Sequence, residues 1–267
     1  LILSEPWLRG VVGFVPSCLA SQPASSHPQL FHTLIGLPHD RNLNDMGQLM
    51  IVTHLRLRSP ALRDELVAKL RETTWRVRQE GTGGMVRSGL LVPREEEDGI
   101  TLYTYTVYED AAAIVHYRGT PAMKEFYAWN MVNDIVTGIP TMYQLELIDG
   151  LGFCHTNIPD TTGLHAVLAE LKYKPDTVPK AVAHWKDVIE KAGKEEEEED
   201  ARTVAYNVAT TSEDEHALFI LKLYQDPEGS SDGQGSRSAI VEGVESTKSI
   251  LTGQNCMQLK IIAGFIS

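Results

Sequence analysis

The sequence predicts an α+β fold in which one four-stranded unit occurs twice along a single chain. Three internal matches predict it. "TVYED" (106–110) returns as "KLYQD" (222–226), which sets Tyr108 against Tyr224 at an offset of 116. "LRLRSP" (55–60) returns as "LKYKP" (171–175), with Leu55 against Leu171, again 116 apart. "YQLELIDG" (143–150) returns as "MQLKIIAG" (257–264) at an offset of 114. Each match is short, but three at nearly one offset define a repeat. The copies are expected over 48–150 and 165–267, after an N-terminal extension over 1–47.

The elements of the first copy follow from local pattern. "QLMIVTHLRL" alternates and is rich in β-branched residues, so it reads as a strand. Ser59 is an N-cap with Pro60 in the first helical position, where its missing N–H costs nothing. In the helix expected over 60–79, Leu62, Leu66, Leu70, Thr73 and Val77 recur every three or four residues, one stripe for a sheet to cover. Trp75 falls on the opposite side, where residues 1–47 or another subunit are expected to cover it. "GTGGMVRSGLLV" and "ITLYTYTVY" form a strand pair around the acidic turn "PREEEDG". A short helix follows over Ala111 to Tyr117, and Thr120-Pro121 caps a longer one over 121–137 that Gly138 closes. "TMYQLELI" is the last strand.

The order β-α-β-β-α-α-β is a split βαβ unit of the ferredoxin-like kind. The second copy predicts a helix over 175–193, strands over 201–210 and 216–224, a helix over 237–252 and a strand from 256. The acidic run Glu195 to Asp200 is expected to be a solvated loop, because like charges repel. Two such tandem ferredoxin-like repeats can bury their bare sheet faces against each other, an intramolecular pseudo-dimer.

Composition narrows the function. A net charge of −12 argues against nucleic acid and against an anionic membrane, since phosphate binding depends on Lys and Arg. Cys18, Cys154 and Cys256 are too scattered for a disulfide framework or a zinc site, so a reducing, cytoplasmic compartment is expected. The opening "LILSEPWLRGVVGFVPSCLA" is interrupted by Glu5, Pro6, Arg9 and Pro16 short of the roughly 20 apolar residues a spanning helix needs. No export signal is expected there either.

"HLRLRSPALRDELVAKL", "YTYTVYEDAAAIVHYRGTPAMKEF" and "YQLELI" together resemble the antibiotic biosynthesis monooxygenase family, a branch of the dimeric α+β barrel superfamily. The resemblance covers 48–150, is fainter over the second copy, and in its tandem arrangement is similar to fungal members acting in secondary metabolism. It implies a cofactor-free oxygenase that turns an anthrone or quinol into a quinone, with molecular oxygen as co-substrate and no metal. Such a site needs a general base, donors for a phenolate and a dry aromatic pocket between sheet and helices. The superfamily also includes polyketide cyclases or dehydratases and proteins without known chemistry, so a lyase and a non-catalytic ligand-binding protein stay open. Haem degradation is disfavoured, because the tryptophan expected on the short helix is absent from "EDAAAIVHY".

In that light His116 is the candidate base, with Ala112 and Ala113 leaving room beside it; the opposing reading is a packing histidine. Asp232 takes its place in the second copy, which puts any working pocket in the first. Asn130 is the candidate group for orienting a substrate hydroxyl or carbonyl. Phe126, Trp129 and Asn133 share or flank its helix face. The alternative turns this stripe to solvent and Met131, Val132, Ile135 and Val136 to the core. Tyr103 and Tyr105, on one face of their strand, and His54 complete the candidate substrate-binding set. The expected partners are a small-molecule substrate and a second copy of the fused unit.

Overall fold

The computed structural model describes residues 47–80, 84–95, 99–154, 158, 160–198, 203–225 and 243–266. The extension over 1–46 and Asp232 lie outside them. The elements are β1 (Leu49–Arg56), α1 (Pro60–Gln79), β2 (Met85–Pro93), β3 (Thr101–Tyr108), α2 (Ala111–Gly119), α3 (Pro121–Asn133) and β4 (Thr141–Cys154). There follow β5 (His165–Tyr173), α4 (Val178–Glu198), β6 (Thr203–Thr211), β7 (Ala217–Tyr224) and β8 (Leu251–Ile266).

The eight strands close into one antiparallel barrel in the order β1-β3-β2-β8-β5-β7-β6-β4. Within it β4-β1-β3-β2 and β8-β5-β7-β6 have the same internal order, and β2·β8 and β4·β6 join them. The ladders repeat in register as well. Leu49 faces Tyr108 and His165 faces Tyr224, both displaced by 116. Leu49 faces Glu146 and His165 faces Lys260, a displacement of 114 on the outer strand. The register shift between Met85 and Arg87 returns between Thr203 and Ala205.

Strand alternation separates two sides. Met50, Val52, Tyr105, Val107, Leu145, Phe219 and Ile261 fill the barrel. On its outside, Leu49, Leu55, Leu102 and Tyr108 meet Leu66, Val77, Ile114 and Phe126 of the first three helices. Leu171, Tyr173 and Ile220 meet Trp185 and Val188 of α4. Each fully buried Leu or Ile contributes about 1.5–3 kcal/mol. The stripe expected on α1 faces inward through Leu66, Thr73 and Val77. Trp75 is 62% exposed, and the cover expected for it is not found among the described residues.

The caps expected at Ser59 and Thr120 form, and Asp110 adds one beyond those expected. Leu62 N–H donates to Ser59 Oγ at 3.2 Å. Asp110 accepts from Ala113 N–H at 2.7 Å and begins α2. Thr120 Oγ1 donates to Tyr117 O at 2.8 Å and accepts from Met123 N–H at 3.3 Å, so one hydroxyl ends α2 and starts α3.

Several ends differ from expectation. α3 stops at Asn133 rather than 137, because Asp134 takes a left-handed φ of 43° and pairs with Arg58 at 2.6 Å. Gly138, with φ 75°, turns the loop beyond it. α4 runs into the acidic run as far as Glu198, since glutamate is a good helix former. β8 begins at Leu251, five residues early, because its polar start pairs with β5 through Gly253–Lys172 and Gln254–Leu171. Of the helix expected over 237–252, the described residues hold one helical turn, 243–247.

Gly89 of β2 shows how tightly the barrel is filled: a Cβ there would overlap the Tyr105 ring. Gly89→Ala is expected to destabilise the protein by about 1–3 kcal/mol, as overpacking does. A chemical denaturation midpoint unchanged from the parent would refute that packing.

Candidate functional site

The side chains with most chemistry lie between the first half of the barrel and its helices. Tyr108 ends β3, Tyr117 and Arg118 end α2, and Tyr127 comes from α3. The Tyr108 and Tyr117 rings meet edge-on with centroids 5.6 Å apart. Tyr108 also bonds Thr106, and Tyr117 bonds Thr74 of α1. Burial pushes all three phenols up, so they stay protonated donors. Arg118, half-buried, is pulled below its ordinary value by desolvation, while Tyr127 and Tyr108 act in the opposite sense. Neutral phenols beside a guanidinium make an environment that can hold an oxyanion. Outside, Arg76 of α1 clasps Glu125 of α3 at 2.6 and 3.2 Å and keeps the helices in place.

α3 turns toward this layer the face expected to matter. Met123, Phe126 and Asn130 are buried, and Phe126 and Trp129 lie 6.1 Å apart. Met131 and Val132 face solvent, 54% and 83% exposed, so the alternative that turns them to the core does not hold, although Ile135 is buried. Asn133 is exposed and donates to Trp129 O at 2.7 Å, closing the helix end.

His116 stands apart from this layer. Ala111, Ala113 and Ile114 are the buried residues of α2. His116 lies about 200° round the helix from Ile114, and its side chain is exposed. One of the small residues beside it serves another contact, since a Cβ on Gly84 would overlap that of Ala113. Ala113 lets Gly84, just before β2, approach α2, while Ala112 is exposed.

His54, Tyr103 and Tyr105 are on the barrel side of the sheet. His54 and Tyr103 face each other across β1 and β3 and stack at 4.5 Å. Tyr105 is 1% exposed, its phenol raised far above the usual range by burial. The sheet therefore divides the candidate residues: Phe126, Trp129 and Asn130 on its helix side, His54, Tyr103 and Tyr105 on its barrel side. Tyr117, Arg118 and Tyr127 carry no distinctive spacing; only the helical stripe of α2 and α3 hinted at their burial. Among the described residues no three of His, Cys, Asp and Glu gather as metal ligands would, and no helix is long and apolar enough to cross a membrane.

No family model and no curated protein matches the chain. Solved structures do. A Fusobacterium nucleatum protein provisionally named a monooxygenase aligns at TM-score 0.65 and 14% identity over 84% of this chain and 96% of its own. One from Lactobacillus acidophilus, provisionally named likewise, aligns at 0.65 and 12% identity over 82% and 96%. An anthrone oxidase-like protein aligns at 0.53 and 8% identity over 83% and 94%. The chain shares their fold. At these identities the likeness is one of fold alone.

Burial and Arg56 lower the pKa of His54 from its ordinary 6.5. The unfolded chain then binds the proton more readily, so the stabilising contribution is present above pH 6.5 and lost as pH falls toward the folded value. His54→Gln is expected to narrow the drop in Tm between pH 7.5 and 5.5. An equal drop in both proteins would contradict this.

Proposed function

We propose that the chain is a cofactor-independent oxygenase built from two fused ferredoxin-like copies, acting in the cytoplasm on an aromatic polyketide or oxylipin-like small molecule. The observation that carries this reading is the cluster of buried Tyr108 with the partly buried Tyr117, Tyr127 and Arg118, in the helix-side layer that also holds Phe126. The fold shared with proteins provisionally named monooxygenases supports it.

Oxidation of an anthrone requires an enolate rich enough to give an electron to dioxygen; recombination at carbon and loss of water leave the quinone. In this reading the phenols and Arg118 hold the developing oxyanion and lower the cost of removing the proton. Asn130 orients the substrate carbonyl. A water molecule admitted with the substrate takes the proton, and His116, exposed on the far face of α2, takes no part in the transfer in this reading.

Oxygen uptake with an anthrone and quinol panel tests the reading. Asn130→Ala and Tyr117→Phe are expected to lower kcat on the order of 10²-fold, with little effect of His116→Ala. Absence of uptake by the parent would discard the oxygenase in favour of a cyclase, a dehydratase or a binding protein of the same fold. A loss confined to His116→Ala would move the site to the outer face of α2.

A further inference from the structure

A second set of polar groups lies on the barrel side, where β4 loses its register. Leu147 faces Ala209 and Gly152 faces Asn207, so the four residues 148–151 have no partner on β6 and the strand bulges. Beside the bulge is a cavity of about 480 Å³, lined among others by Val86 and Arg87 of β2, Leu147, Phe153 and Cys154 of β4, and Asn207 of β6. That volume suits a small molecule.

Its polar wall is made of donors. Arg87 and Asn207 are each 6% exposed, and Arg87 Nη2 donates to Asn207 Oδ1 at 3.0 Å. This contact uses the amide's acceptor and leaves its Nδ2 buried without a hydrogen-bond partner, as is Arg87 Nη1. The Tyr105 hydroxyl, close enough to feel the Arg87 charge, is a third buried group without a partner. The Cys154 thiol is hydrogen-bonded to the guanidinium, and burial raises its pKa despite that cation, so it is a neutral partner that leaves the charge unbalanced. Asp149, the carboxylate in the lining, is exposed. A buried cation is costly unless an anion meets it.

We propose that this cavity is a binding site for a small carboxylate with an apolar body. Arg87 Nη1 and Asn207 Nδ2 donate to its two oxygens, and Val86, Leu147 and Phe153 receive the body. A carboxylate fits better than a phosphate, because one guanidinium balances one charge and two adjacent N–H donors, one from each residue, match its two coplanar oxygens. The site is independent of the oxygenase reading, since the sheet separates it from the phenol layer.

Calorimetric titration of the full chain with benzoate, benzyl alcohol and inorganic phosphate tests the proposal. Benzoate is expected to bind, the other two not, and Arg87→Met to weaken benzoate at least about tenfold. Asn207→Asp, which supplies a carboxylate from within, is expected to raise Tm without ligand and to abolish benzoate binding. Benzoate should also raise the parent's Tm, which keeps the test valid if Arg87→Met folds poorly. No benzoate binding by the parent, equal binding by Arg87→Met or Asn207→Asp, or tighter binding of phosphate would each overturn the proposal.

Discussion

A four-stranded antiparallel sheet with helices on one face has two unpaired edges and one bare apolar face. Here the ladders β2·β8 and β4·β6 remove all four edges at once and turn both bare faces inward. Neither half could bury Met50, Val107, Leu145, Phe219 or Ile261 without the other. The barrel thus behaves as one structural unit although its sequence reads as two.

Closure also fixes where chemistry can occur. Every strand has one side toward the barrel and one toward helices, so each polar residue is assigned to a compartment by the parity of its position. Tyr105 and Tyr108 come from one strand, yet one fills the barrel beside Gly89 and the other packs under α2. The β4 bulge breaks the barrel's apolar filling and gives a buried arginine an unfilled neighbourhood. The Arg87 cavity and the phenol layer are therefore separate environments.

Among the described residues the two halves differ most outside the barrel. The first has three helices and a cluster of phenols around a guanidinium. The second seals its sheet with Trp185, whose indole N–H donates to Tyr173 Oη at 2.9 Å and whose ring leaves no room for a side chain at Gly243. The shared barrel can keep both halves folded while their outer layers differ. Aromatic polar groups gathered on the first half are consistent with that division.

The sequence by itself marked the offsets that return in the strand ladders, the element order of the first copy and the capped helix starts at Ser59 and Thr120, since short-range pattern and capping chemistry are local. Sequence set Phe126, Asn130 and Asn133 on one helix face but left its direction open; the fold buries Phe126 and Asn130 and leaves Asn133 exposed. Tertiary structure alone decided that His116 turns outward, because a short helix exposes whatever lies opposite its contact with the sheet, and Ala113 was needed by Gly84. It decided, too, that His54, Tyr103 and Tyr105 belong to a different compartment from Asn130. Arg87 and Asn207, 120 residues apart, became neighbours only because closing the barrel brings β2 and β6 within reach of each other beside the broken register of β4. No spacing in the chain encodes that meeting, which depends on how two halves join.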